Sequence, residues 1–142
     1  MRMSTKGRYG LRVMVELARH YGDGPVSVDV LSENQEISGN YIHVIVNSLK
    51  AAGLVRTSRG PNGGYELTRD PSTVTALDVI SVLEGRSIPV ECVADAGLCR
   101  RSKKCATRDM WCEIAAAMDK VLSDMTLAHL AGNEDEKSRE PS

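Results

Sequence analysis

The chain contains no phenylalanine, one tryptophan and four tyrosines among its 142 residues. A core without many aromatic rings must be built from Leu, Val, Ile, Met and Ala, which is typical of a small helical domain. This length supports the hydrophobic core of a single domain, so a large multidomain enzyme is excluded. The composition therefore predicts a mainly α fold.

Segments that would direct a protein to or across a membrane are also absent. No run reaches the roughly 18 consecutive apolar residues of a membrane-spanning helix. The first residues, MRMSTKGRYG, lack the apolar centre of a secretory signal. We therefore expect a cytoplasmic protein with no membrane partner.

Catalytic patterns are missing as well. The three histidines, His20, His43 and His129, lie far apart, and none stands beside a cysteine or acidic pair in a recognised nucleophile motif. We expect no enzymatic activity. The net charge of −1 does not decide whether nucleic acid binds, because the charge is uneven: residues 99–112 hold five basic side chains and one acidic one.

The first half of the chain has the pattern of a helix-turn-helix. A first helix begins after Ser4 or Thr5, a short second one at Ser27, and a third runs from Ser38 to Gly53. Helical spacing in the third predicts four inward residues, Ile42, Ile45, Leu49 and Ala52, and four outward ones, Asn40, His43, Val44 and Asn47. Two short helices joined by a tight turn are typical of major-groove readers, although an ordinary bundle gives the same pattern.

A β-hairpin is predicted directly after these helices. Residues 54–58 and 65–68 have strand character, and the glycines and proline of 59–64, RGPNGG, impose a turn. A hairpin in this place is the wing of a winged helix. Arg59 at its tip suits a narrow minor groove, where the potential is most negative, and a solvated turn arginine is the alternative.

The remainder divides into three segments after a winged helix-turn-helix domain at 1–85. Thr75 and Asp78 predict a capping box for a fourth helix that ends at Gly85. Residues 86–106 show no periodicity and favour a loop ordered by a metal or cluster. Thr107 is expected to cap a long helix over 107–131, and residues 132–142 are expected to be disordered. The long helix has an apolar stripe that predicts dimerisation, with packing on the first helix as the alternative: Met110, Trp111, Ile114, Met118, Val121, Leu122 and Met125.

Four cysteines lie close together in the pattern C-x6-C-x5-C-x6-C: Cys92, Cys99, Cys105 and Cys112. A cytosolic location disfavours structural disulfides, and no C-x2–4-C pair supports zinc. Iron–sulfur clusters accept wider spacings, and the basic neighbours favour thiolates. Cys112 lies on the same side of its helix as Arg108, so it is a candidate ligand.

The hairpin and the cysteines together carry a resemblance to a known family. Its motifs are the opening STKGRY at 4–9, Ile37-Ser38-x-x-Tyr41, GLV at 53–55, RGPxGGY at 59–65 and the cysteine loop. With these motifs, which extend to about residue 130, the sequence resembles the Rrf-two-type winged-helix transcription regulators, and above all the iron–sulfur cluster regulators among them.

The resemblance implies a homodimer, joined by its long C-terminal helix, that binds a palindromic operator in double-stranded DNA. It implies that a cluster held by Cys92, Cys99 and Cys105 controls this binding in response to iron–sulfur status, redox state or nitric oxide. We expect a repressor, and RNA polymerase is a further candidate partner. The residues implied to approach base edges, phosphates or the minor groove are Ser38, Asn40, Tyr41, His43, Val44, Arg59 and Gly60.

Two departures from the family pattern concern the fourth ligand. Arg108 stands where the iron–sulfur members have a ligating histidine, and a guanidinium stays protonated and cannot ligate. Arg8 stands where nitric oxide-sensing relatives use an aspartate. Cys112 is the simplest replacement. The resemblance favours a 2Fe-2S cluster, and 4Fe-4S stays open for an all-cysteine site.

The preferred DNA sequence and the function itself also differ between possible interpretations of the sequence. The iron–sulfur members carry Glu and Gln where this chain has His43 and Val44, so we predict a different preferred DNA sequence. One alternative function is a cluster-free regulator of cysteine metabolism, although such members lack the cysteine loop. The other is an iron–sulfur electron-transfer protein, which would need neither Arg59 nor the helix-turn-helix.

Overall fold

The structure, a computed structural model, describes residues 2–85 and 88–140. It is mainly helical, as predicted, with a two-stranded antiparallel sheet. No helix within these ranges has the length and apolar character to cross a membrane. The elements are α1 (Thr5–Arg19), α2 (Val28–Gln35), α3 (Gly39–Ala51), β1 (Val55–Ser58), β2 (Gly64–Leu67), α4 (Ala76–Glu84), α5 (Glu91–Ala94), α6 (Ala106–Asp124) and α7 (Leu127–Arg139).

The first four helices begin where the sequence predicts. In each, a hydroxyl oxygen at the N-cap accepts a hydrogen bond from the amide three residues later, and the caps are Ser4, Ser27, Ser38 and Thr75. Asp78 completes the predicted capping box, because its carboxylate accepts from the Thr75 amide at 2.9 Å. These caps satisfy amides that have no partner inside the helix.

The core is aliphatic and lies where α1, α2, α3 and α4 meet. Its completely buried side chains include Met14, Leu31, Ile42, Ile45 and Leu49. The prediction that Ala52 faces inward is wrong, because α3 ends at Ala51 and Ala52 is exposed in the cap. Val46 is buried instead, so the apolar face of α3 is wider than a strict one-in-three spacing suggests.

The wing packs against the connection between α1 and α2. Strands β1 and β2 pair from Val55 opposite Leu67 to Ser58 opposite Gly64. Val26 and Tyr65 then exchange two backbone hydrogen bonds, both 2.8 Å long. Gly64 makes this approach feasible, since a Cβ there would lie 2.1 Å from the Val26 carbonyl oxygen. The wing is therefore attached by backbone contacts as well as by its hairpin.

The C-terminal region differs from the prediction. The expected single helix over 107–131 is two helices, since α6 ends at Asp124 and α7 begins after the cap Thr126. The break arises because residues 125–127 pair with the backbone at the start of α4. The Ala76 amide donates to Met125 O and the Leu127 amide donates to Val74 O, both at 2.8 Å. The expected disorder over 132–142 is also wrong as far as Arg139, because Leu127 and Ala131 anchor α7 in the core. Residues 141 and 142 lie outside the described residues.

Candidate DNA interface and cysteine loop

The outer face of α3 is free for contact with another molecule. Asn40, His43 and Val44 are exposed, with about half of the Val44 side chain accessible (51%). Ser38 is exposed at the helix start, where its hydroxyl oxygen accepts from the Tyr41 amide at 3.2 Å. The hydroxyl proton of Ser38 is left to donate to a phosphate or a base. Four of the predicted residues therefore share one accessible surface.

Tyr41 has a packing role that the prediction did not include. It is half-buried, and its ring meets the ring of Tyr9 edge-on, with centroids 6.2 Å apart and an interplanar angle of 82°. This geometry is favourable for two aromatic rings. Tyr41 thus fixes the start of α3 against α1.

His43 is joined to the wing. Its Nδ1 lies 2.7 Å from the hydroxyl oxygen of Tyr65 on β2. Burial raises the pKa of Tyr65, so its phenol stays protonated at neutral pH. In the tautomer with a proton on Nε2, His43 accepts from this phenol and turns an N–H donor outward, which suits guanine N7 and O6. Tyr65 thus positions a predicted reader from a different element, which spacing along the sequence does not reveal.

The tip of the wing presents an arginine with no partner in the described structure. Arg59 and Gly60 are exposed, and Gly60 takes a positive φ of 104° that favours glycine. Its carbonyl accepts from the Gly63 amide at 3.0 Å, which closes the turn. By contrast, Arg56 further down the wing is paired with Glu66 at 3.0 Å. Arg59 is therefore the wing cation available to a phosphate-rich partner.

The cysteine segment is more ordered than the sequence suggests. Residues 86 and 87 lie outside the described part, but α5 and two 3-10 turns, Ala96–Leu98 and Ser102–Lys104, follow. The buried hydroxyl of Ser102 donates to the carbonyls of Ala96 and Cys99, at 2.6 and 2.9 Å. The absence of periodicity predicted an irregular loop here, but these hydrogen bonds order the segment.

Arg108 fastens this loop to α6. Its Nε donates to the backbone carbonyl of Cys92 at 3.0 Å. Cys92 lies on α5, and Cys99 is exposed after the first 3-10 turn. The guanidinium that cannot ligate a metal thus has a structural function beside a predicted ligand.

Cys105 is chemically the most distinctive of the four thiols. It occupies the N-cap of α6, so the expected cap at Thr107 is wrong by two residues. A hydrogen bond from the Thr107 hydroxyl, with Sγ and Oγ1 3.1 Å apart, and then one from the Arg108 amide hold the pKa of Cys105 below its ordinary value. The geometry favours a thiolate, which is the form that binds metals.

The cysteines are not assembled around one point. Cys112 is half-buried on α6, one turn beyond Arg108. Across residues 2–85 and 88–140, no three His, Cys, Asp or Glu side chains approach closely enough to hold a single metal ion. A cluster fits the donor chemistry of this loop, which supplies thiols, one favoured thiolate and basic neighbours.

An apolar surface runs along α6. Ala115 is its only buried residue in the described structure, while Met110 and Val121 are 44% and 57% exposed. A groove of about 420 Å³ lies along this helix, lined by Met3, Ile114, Ala117, Met118, Val121 and Leu122. We call these six residues the α6 groove. Such a lining is unusual for a surface in contact with water alone.

A helix-turn-helix followed by a hairpin with an exposed arginine defines a winged-helix DNA-binding protein. The Rrf2 family of iron-dependent transcriptional regulators matches residues 3–133, and the chain belongs to this family. The family and the relatives below are transcriptional regulators, not enzymes. The predicted fold and family are both confirmed.

Two kinds of regulator are similar over almost the whole chain. CymR of Bacillus subtilis is 42% identical over 135 residues, which cover 95% of this chain and 93% of CymR. IscR of Yersinia pseudotuberculosis is 35% identical over 135 residues, or 95% of this chain and 82% of IscR.

Solved structures of CymR and IscR are also similar to this chain. CymR, the global cysteine regulator of B. subtilis, has a TM-score of 0.81 at 41% identity, covering 94% of this chain and 98% of that one. The IscR of T. potens has a TM-score of 0.80 at 32% identity, covering 100% and 94%.

Proposed function

We propose that this chain is a homodimeric repressor that reads a palindromic operator with α3 and the wing. The observation that supports this most directly is the exposure of Asn40, His43 and Val44 on α3 together with the exposed Arg59 of the wing, which has no ion-pair partner among the described residues. Side chains on a recognition helix contact base edges, and a guanidinium at a wing tip fits a narrow minor groove. His43 and Val44 stand where the iron–sulfur members have Glu and Gln, so the DNA sequence that this chain prefers should differ from theirs.

Selection of bound duplexes from a random pool would identify the operator. Fluorescence anisotropy at fixed salt should then show that Arg59→Ala weakens binding about tenfold or more, in line with roughly 1–3 kcal/mol for a good groove contact. Arg56→Ala is the matched control, because it removes a wing arginine that is already paired with Glu66. Equal effects of the two substitutions would contradict the assigned role of Arg59.

Dimerisation is proposed to bury the α6 groove. A two-fold dimer places the same surface of both copies in contact, so one apolar helix face can cover its counterpart. It also gives the two recognition helices the fixed separation that a palindrome requires. The experiment is sedimentation of the full chain, in which a monomer at micromolar concentration would exclude this arrangement.

We propose further that Cys92, Cys99 and Cys105 hold an iron–sulfur cluster, with Cys112 as the fourth thiolate. The support is the lowered pKa of Cys105 and the presence of three thiols on one ordered segment beside α6. When bound, a cluster supplies a group sensitive to iron, oxidants and nitric oxide. The protein's own contribution is to lower the pKa of Cys105 through the Thr107 hydroxyl and the Arg108 amide, and to bind the carbonyl of Cys92 with Arg108.

Anaerobic purification followed by iron and sulfide assays and an absorption spectrum tests this assignment. We expect wild type to carry a cluster and Cys112→Ala to lose it. Arg108→His in the Cys112→Ala background should restore it, because imidazole is a competent ligand and guanidinium is not. Zinc or no metal in wild type would rule out the cluster.

A second candidate function is cluster-free regulation of cysteine metabolism. The similarity to CymR favours it, since that relative is described as a global cysteine regulator. Specific DNA binding that is unchanged in a Cys92→Ala, Cys99→Ala and Cys105→Ala triple variant would select this candidate over the cluster regulator. Electron transfer has no comparable support, because the family consists of transcriptional regulators.

A further inference from the structure

The outer face of α3 has a neighbouring element on each side. The wing lies on one side, where it contacts the ring of His43. Helix α1 lies on the other side. There, Lys6 Nζ donates to the Ser48 hydroxyl at 2.9 Å, and the ring of Tyr9 meets the ring of Tyr41 edge-on.

Helical geometry places these contacts on opposite borders of the outer face. At about 100° per residue, Tyr41 and Ser48 lie about 20° apart around the α3 axis, whereas His43 lies about 160° from Tyr41. The exposed residues between the two borders are Asn40, Val44 and Asn47. The surface that faces base edges is therefore bordered by the wing on one side and by α1 on the other.

The width of the DNA major groove gives these borders a meaning. This step rests on the operator binding proposed above. The groove is about 12 Å wide with a phosphate strand along each side, and a helix with its side chains is about 10–12 Å across. A helix that enters the groove therefore brings its two borders close to opposite strands. The wing lies beside one strand, so α1 is placed to meet the other.

Arg8 is a cation on the α1 side of this surface. It is exposed, and it forms no ion pair within residues 2–85 and 88–140. Its Cζ lies 5.8 Å from the centre of the Tyr9 ring, and the centre of the Tyr41 ring of α3 lies 6.2 Å from that of Tyr9. Attraction to an aromatic ring positions a guanidinium without using its N–H groups, which stay available to an acceptor.

Two other charged groups near this border are already engaged. Arg12 lies 5.2 Å from the centre of the same ring, but its Nε donates to Gln35 Oε1 at 3.2 Å and its Nη2 to Gln35 O. Glu84 accepts from the Ser4 amide at 2.9 Å and from the Ser4 hydroxyl. The hydroxyl that binds Lys6 is neutral, so this ammonium adds positive charge that no carboxylate of the described residues offsets.

From these positions we propose that Arg8 binds a backbone phosphate of the operator, on the strand across the major groove from the wing, with Lys6 beside it as a second cation. Guanidinium N–H groups match two phosphate oxygens at once. A phosphate is the same at every base pair, so this contact contributes affinity and register but no base preference. Helix α1 is then a third DNA-contacting element, in addition to α3 and the wing.

Fluorescence anisotropy of the full chain with its selected operator and with an unrelated duplex, at several salt concentrations, tests this assignment. Arg8→Met should weaken both complexes by a similar factor, about tenfold or more at about 0.1 M salt. In a dimer that makes the contact twice, the slope of log affinity against log salt should become shallower by about 2. Arg8→Lys keeps the charge and should keep the slope. Arg139→Met is the matched control, because it removes an exposed arginine from the last turn of α7.

Neutral phosphates locate the contact on the DNA. In a series of operators, one phosphate of each half-site is replaced by an uncharged methylphosphonate. We expect one position, across the groove from the wing, at which the replacement weakens wild-type binding by about fivefold or more. The same replacement should change the affinity of Arg8→Met by less than about twofold, because the partner of that phosphate is already absent. Arg139→Met should keep the wild-type sensitivity.

Three results would overturn the proposal while the operator binding stands. One is a wild-type salt slope in Arg8→Met. Another is a loss of affinity confined to the operator, since that would indicate base readout. The third is a set of methylphosphonate effects that is the same in Arg8→Met and in wild type. Wild type that selects no duplex at all would contradict the operator binding itself, and this inference with it.

Discussion

Replacement of Gly64 by alanine is expected to detach the wing from the α1–α2 connection. The new Cβ would lie 2.1 Å from Val26 O and 2.4 Å from Val26 C, and a backbone clash cannot be relieved by a side-chain rotation. The two hydrogen bonds between Val26 and Tyr65 should therefore break. At roughly 0.5–1.5 kcal/mol each, their loss should destabilise the fold by about 1–3 kcal/mol.

Urea unfolding at a fixed protein concentration measures this change. Gly132→Ala is the control, since a Cβ at that position of α7 meets nothing within 4 Å. Alanine there should stabilise the helix by about 0.5–1 kcal/mol. Operator affinity should fall in Gly64→Ala, because Tyr65 also positions His43. A Gly64→Ala protein with wild-type stability and wild-type operator affinity would refute the argument.

Three further outcomes are expected. Glu36 has a φ of 55° at the end of α2, so Glu36→Gly should raise stability by about 1 kcal/mol in urea unfolding, and a loss would show that this carboxylate has another role. Cys105 should be alkylated at lower pH than the cysteine of an unstructured peptide, because its lowered pKa leaves thiolate present at lower pH. Thr107→Val should raise the pH midpoint of alkylation, since it removes the hydrogen bond to the sulfur. An unchanged pH midpoint would contradict the role of that hydroxyl. Val121→Glu should convert the proposed dimer to a monomer in sedimentation, whereas Ser123→Glu, at another exposed position of α6, should not.

The parts of the fold that the sequence predicts correctly depend on local chemistry. An N-cap hydroxyl that accepts from the amide three residues later is a short-range interaction, and this is why α1 to α4 begin as expected. The glycine-rich turn of the wing has a similarly local cause. The exposed readers on α3 follow from helical spacing, because only one face of α3 packs on the core.

The errors come from contacts between distant parts of the chain. The break after α6 depends on pairing of Met125 and Leu127 with the segment before α4, and no spacing within the helix signals it. The Thr126 cap signal was present in the sequence, but the apolar stripe that continues through Met125 conceals it. The Tyr65–His43 hydrogen bond joins residues 22 positions apart. Glu16 and Glu134 line one cleft for the same reason, since only the packed helices bring them together.

The break between α6 and α7 also determines how α6 can move. Its C-terminal end is fixed by backbone pairing beside α4, whereas its N-terminal end carries Cys105. With 19 residues the helix is a rod about 28 Å long, so a rotation of about 10° around the fixed end displaces the other end by about 5 Å. A displacement of about 5 Å at Cys105 would therefore correspond to a rotation of α6 of about 10° relative to α4, beside which its other end is fixed.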